Sequence, residues 1–167
     1  MTRKRLLAVA TIAALAAAVY AGSVLATLPV GLSTTQLAKA TFSGGMVAGP
    51  KTMSSAAWAA AFKTTGASDI YVVDNKLAPG GNTGWHSHPG PSLVLVVSGQ
   101  VVNYVGSDPK CTPHPYGAGS GFVDPGDGEV HMLRNEGTVP AETIAVQFVP
   151  KGGTRRIPEP DPGNCSF

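Results

Sequence analysis

Between Asp69 and Val149 glycines and prolines cut the chain into apolar or alternating runs too short for helices, and this punctuation restricts it to an all-β fold. The expected strands are residues 69–78, 83–88, 92–98, 100–106, 121–124, 130–135 and 141–149. Strands this short and this numerous bury their apolar residues by closing into a sandwich or barrel. Ser98-Gly99 predicts a hairpin turn, because the run 93–97 is apolar on both faces and the run 101–105 returns from it. Phe122, Leu133, Ile144, Val146 and Phe148 are expected in the core or in a pocket wall, with Gln147 on the opposite face of its strand. Residues 54–63 predict a short helix capped by Thr52 or Ser54, with Trp58 and Phe62 four apart on one face. Phe42 and Met46 suggest an added edge strand.

The chemistry is concentrated in two segments. In Gly84-Trp85-His86-Ser87-His88-Pro89-Gly90 strand alternation sends His86 and His88 to one face and Trp85 and Ser87 to the other. His131, in the strand expected after Pro125-Gly126-Asp127-Gly128, supplies a third imidazole. Three such nitrogens suit one divalent transition metal and leave coordination positions open to water or substrate. His114 lies between Pro113 and Pro115, extended on an edge or loop, and is expected to stay outside the ligand set. Glu129, two residues before His131, is a candidate ligand or general acid/base; the competing reading is a solvated turn residue.

With these residues the chain resembles the cupin family over roughly residues 70–150. Gly80, His86-Ser87-His88 and Gly99 fall at the spacings of the first cupin signature, with Ser92 where that signature carries a glutamate. Gly119, Pro125, Gly128, His131 and Asn135 follow the second, with one residue inserted between the proline and the glycine. The resemblance implies a double-stranded β-helix, or jelly roll, with the metal at one end of the barrel, and His86, His88 and His131 as ligands. Members usually add the glutamate as fourth ligand, although some thiol dioxygenases of the family use three histidines alone. Without it a divalent ion keeps its formal +2 charge, which favours an anionic or enolisable oxygen ligand.

Met1 to Arg5 carries three positive charges, and no charged residue follows until after Leu32. This is the pattern of a cleaved signal peptide or a single membrane anchor, and either places the remainder outside the cytoplasm. Removing residues 1–26 takes three of twelve basic residues and none of ten acidic ones, leaving 9 − 10 = −1. No clustered Lys/Arg remains for nucleic acid or anionic lipid, and Arg155-Arg156 is a single pair in a tail. In an oxidising compartment Cys111 and Cys165 are expected to form a disulfide pinning that proline-rich tail to the barrel, rather than to stay free or to serve a metal.

The expected organisation is therefore a targeting segment at 1–26, an extension with a short helix at 27–68, a barrel at 69–150 and a Pro-rich tail at 151–167. The expected partner is a small-molecule ligand or substrate, with membrane contact only through the N-terminal segment, and a homodimer is compatible. Zinc, manganese or copper is favoured over iron or nickel for a chain that crosses a membrane unfolded and acquires its metal outside. Three roles follow: a metalloenzyme performing oxidation, isomerisation or lyase chemistry, with Glu129 or a pocket tyrosine moving protons; a non-catalytic binding module; or, behind these, a structural barrel with a vestigial site.

Overall fold

The structure is a computed structural model that describes residues 25–49 and 58–167. Its strands are β1 (Val30–Phe42), β2 (Val47–Ala48), β3 (Phe62–Lys63), β4 (Ser68–Asn82), β5 (His86–Ser87), β6 (Ser92–Ser98), β7 (Gln100–Val105), β8 (His114–Gly117), β9 (Gly121–Asp124), β10 (His131–Arg134), β11 (Ala141–Pro150) and β12 (Ile157–Pro158). Pairing is antiparallel throughout and builds two leaves, β1-β4-β11-β6-β9 and β12-β5-β10-β7-β8. The end of β4 joins them, where Asn82 pairs with Arg134. Leu77, Val96 and Ala141 of the first leaf pack against Val101 and Leu133 of the second. The expected all-β jelly roll is therefore present.

Gly99 has the conformation of a tight turn, with φ +68°, yet it does not make a hairpin. β6 pairs with β11 and β9, whereas β7 pairs with β10 and β8, so the chain changes leaf at Gly99. A Cβ there would lie 2.6 Å from the Pro140 carbonyl oxygen, which explains glycine at this corner. Both faces of β6 are apolar, but only Val94 and Val96 are buried, and Leu93, Leu95 and Val97 face solvent beside Val123.

On β11 the inner face carries Ala141, Thr143, Ala145, Gln147 and Val149. Ile144, Val146 and Phe148, expected inside, lie half-buried on the outer face, where Ile144 and Val146 stand opposite Leu95 and Leu93. The barrel interior accommodates small or hydrogen-bonding residues at these levels, and the larger apolar ones cover its outside.

The expected helix at 54–63 is contradicted wherever the chain is described: Phe62–Lys63 is strand, and there is no helix among the described residues. Residues 54–57 of that expectation, and residues 1–24 of the targeting segment, lie outside the described residues. The Phe62 ring sits 4.6 Å from that of Phe148, while Trp58 is 82% exposed, so the two aromatics do not share a buried face. Packing on the outer side of β11 outweighs helical spacing here. In contrast, the edge strand suggested by Phe42 extends back over thirteen residues as β1.

β1 is exposed along nearly its whole length and is anchored through Asp69 of β4. That buried carboxylate accepts hydrogen bonds from the Thr41 hydroxyl at 2.6 Å and the Gly152 amide at 3.0 Å, and pairs with Lys39 at 2.9 Å. These partners, Thr41 first, hold its carboxyl well below its ordinary value of 3.8. A lowered folded-state pKa gives stability that is complete above the unfolded value and lost as pH falls below about 4. Asp69→Asn is therefore expected to lower the melting temperature at pH 7 and to flatten its decline below about pH 4, read by thermal unfolding across pH.

Candidate metal centre

His86 opens β5 and His131 opens β10, and the two are paired directly in register. His88 follows two residues after His86, and alternation brings it to the same side. One nitrogen from each ring can be chosen so that all three lie within 4.8 Å of one another. The ring centroids are separated by 4.4 Å for His86 and His131, 4.9 Å for His86 and His88, and 5.3 Å for His88 and His131. On the opposite face Trp85 packs with Val102, Tyr104 and Met132, and the Ser87 hydroxyl donates to Glu159 at 2.7 Å.

Each imidazole is oriented by a main-chain carbonyl. Nδ1 of His86 lies 2.9 Å from the Gly84 oxygen, that of His88 2.6 Å from the Arg155 oxygen, and that of His131 3.3 Å from the Glu129 oxygen. A carbonyl only accepts, so these contacts place the proton on Nδ1 and leave the Nε2 lone pairs available. Burial pushes His86 well below its ordinary pKa and also lowers His88, which keeps both neutral and able to ligate near pH 7.

The carboxylate missing at Ser92 is supplied by the neighbouring strand. Ser92 pairs with Asp124 of β9, whose buried oxygens lie 3.8 Å from His88 Nε2 and 3.9 Å from His131 Nδ1. Asp124 Oδ2 and Ser92 Oγ are buried without a hydrogen-bond partner among the described residues. An orphaned carboxylate oxygen beside three imidazoles is a donor set that fits a divalent metal. Sequence reasoning left Asp124 as a strand end, although alternation with the inward Phe122 and outward Val123 signals that it points inside.

Glu129 is partly buried, and its side chain lines a neighbouring hollow with His114 and Tyr116 that borders His131 and Asp124. Its main-chain oxygen, rather than its carboxylate, is what meets His131. His114 lies exposed on β8. No tyrosine lines the histidine cavity among the described residues; the Tyr104 hydroxyl instead donates to Glu136 at 2.8 Å, and burial with that neighbour pushes its pKa up to about 12.

The tail contributes more than its composition implies. β12 pairs with β5, setting Pro158 opposite His86, and the Glu159 amide donates to the Trp85 oxygen at 2.9 Å. Arg155 and Arg156 consequently line the cavity with His86, His88, His131, Ser92 and Asp124. The Cys111–Cys165 disulfide, with a Cα separation of 5.2 Å, fastens the far end of the tail beside the Trp85 cluster.

Residues 75–147 match the family described as Cupin domain. They form a cupin domain. A protein with a double-stranded beta-helix domain from Klebsiella pneumoniae is 24% identical over 54% of this chain and 75% of its own, with TM-score 0.46. An oxalate oxidase is 22% identical over 53% of this chain and 45% of its own, with TM-score 0.45, so this chain spans less than half of that enzyme's length. A protein from Thermus thermophilus is 28% identical over 48% of this chain and 72% of its own, with TM-score 0.41. No curated protein matches the chain significantly.

Thiol titration of the denatured, unreduced protein should find no free thiol, and reduction should release two. Opening a loop of 54 residues is expected to cost up to about 4 kcal/mol of stability, visible as a lower denaturation midpoint in reductant. Two thiols before reduction would contradict the bridge.

Proposed function

We propose that this chain is an exported cupin that binds one divalent transition metal and acts on a small molecule as a metalloenzyme. The observation that carries the reading is the convergence of three carbonyl-oriented imidazoles beside Asp124, whose Oδ2 is buried without a hydrogen-bond partner among the described residues. His86, His88 and His131 would hold the metal, with Asp124 as fourth ligand or as the adjacent base. When bound, the metal supplies Lewis acidity to a substrate oxygen, in support of oxidation, isomerisation or lyase chemistry. Zinc, manganese or copper is proposed before iron or nickel, a set compatible with imidazole and carboxylate donors.

The chain's own groups have separable tasks. The three carbonyls fix tautomer and ring angle. Val94, Phe122, Leu133 and Ala145 form an apolar wall that limits water. Asp124, where it stays off the metal, is placed to hold a proton between His88 and His131. Glu129 remains a second proton carrier in this proposal, reaching the site from the bordering hollow. Export is supported by the basic and apolar N-terminal pattern together with the disulfide.

One observation favours the non-catalytic alternative: Asp124 is the only carboxylate that lines the cavity among the described residues, so if it ligates the metal and Glu129 stays in the bordering hollow, the chain is a metal-dependent binding module. Elemental analysis after dialysis against a weak chelator is expected to find one equivalent of metal, lost in His86→Ala/His88→Ala. Asp124→Asn is expected to weaken metal binding roughly 10–100-fold, while Ser92→Ala leaves it unchanged. Full occupancy in the double histidine variant would defeat the reading. Unchanged affinity in Asp124→Asn would assign Asp124 to proton transfer.

A further inference from the structure

We propose that Arg155 and Arg156 make the histidine cavity a receptor for a small carboxylate anion, an inference that rests on the metal-centre reading and names the class of its ligand. Both guanidiniums are half-buried, and both line the same cavity as the three histidines. A guanidinium presents five N–H donors. Among the described residues, Arg155 uses Nη1 on the Gln147 Oε1 at 2.7 Å, and Arg156 uses Nη2 on the Thr83 carbonyl oxygen. Neither makes an ion pair with a carboxylate among the described residues, although Asp124 lines the same cavity.

Two half-buried cations without a counter-charge are costly unless something neutralises them. The two arginines and Asp124 together carry a formal charge of +1, and a divalent ion would raise this to +3. The complement of that charge is an anion. A planar carboxylate matches the guanidinium fork with two parallel N–H···O bonds and keeps further oxygen lone pairs for a metal. Buried Gln147 holds Arg155, and the carbonyl of Thr83, itself buried, holds Arg156, so both forks are set before a ligand arrives.

The cavity limits the size of that anion. Its volume of about 50 Å³ accommodates about four water-sized groups, which favours a small acid beside a metal. The apolar wall of Val94, Phe122 and Leu133 suits the carbon end of such a ligand.

The test is calorimetric titration of the full chain, first with zinc and then, on the zinc-loaded protein, with acetate and its neutral analogue acetamide. Acetate is expected to bind in a 1:1 ratio and acetamide at least tenfold more weakly. Arg155→Gln and Arg156→Gln should each weaken acetate at least tenfold, with zinc affinity within about twofold of the parent. Arg156→Lys should recover part of the loss, because it keeps the charge without the fork, and melting curves verify that each variant is folded. Acetate binding unchanged in both glutamine variants, or acetamide binding as tightly as acetate, overturns the proposal. If zinc does not bind, the metal reading fails on its own; arginine-dependent acetate binding to the zinc-free chain then sustains the anion receptor, and its absence ends it.

Discussion

The pairing of His86 with His131 places two imidazoles on the inner side of a leaf and, one residue along each strand, Trp85 and Met132 on its outer side. Strand alternation makes these two arrangements inseparable: a register slip by one residue would send the imidazoles into the apolar cluster and the indole into the cavity. The Trp85 cluster therefore locks the register that the metal centre requires. It also receives the disulfide at its edge, so the tail that supplies Arg155 and Arg156 is fastened to the same residues that fix the histidines. Packing, covalent closure and site geometry share one small region.

The position of Asp124 shows how a barrel can keep a carboxylate beside its histidines while its sequence signature changes. Ser92 and Asp124 are partners across β6 and β9, and both project into the cavity. An acidic side chain on either strand reaches the same space from neighbouring positions. Aspartate is shorter than glutamate, and here Oδ1 accepts from the Gly126 amide at 2.9 Å while Oδ2 stands 3.8 Å from His88 Nε2. The formal charge of the site is thereby lowered by one relative to three imidazoles alone, as the fold's usual carboxylate would lower it. The two arginines then reverse the balance, so the cavity remains positive overall.

The sequence made legible what depends on local spacing. The His-x-His alternation and the cysteine pair correspond to contacts found in the structure, and the second-signature glycines Gly119 and Gly128 to left-handed backbone, with φ +82° and +79°. What it did not disclose depends on which strand meets which. Gly99 has turn geometry, but turn geometry does not name a partner, and the chain passes to the other leaf. β1 is rich in threonine and alanine and almost wholly exposed, so it lacks the apolar alternation by which strands are recognised. Arg155 and Arg156 look like tail residues because only the pairing of β12 with β5 brings them inward. The outward placement of Ile144, Val146 and Phe148 likewise follows from the contents of the cavity, which the apolar pattern alone does not describe.

The groups that orient the three imidazoles belong to the main chain, and this changes how the site responds to mutation. Substituting Glu129 or Arg155 removes a side chain but not the carbonyl that fixes a histidine. Residue 155 thus carries two separable traits, an oxygen that the genetic code cannot delete and a guanidinium that it can exchange freely. Gly84 is the exception: its φ is +65°, and a Cβ there would stand 2.8 Å from the Thr27 carbonyl oxygen, so a new side chain would displace its carbonyl along with it. The lining of the cavity can therefore change at positions 155 and 156 while the histidine geometry is inherited intact, so the two parts of the site are free to evolve separately.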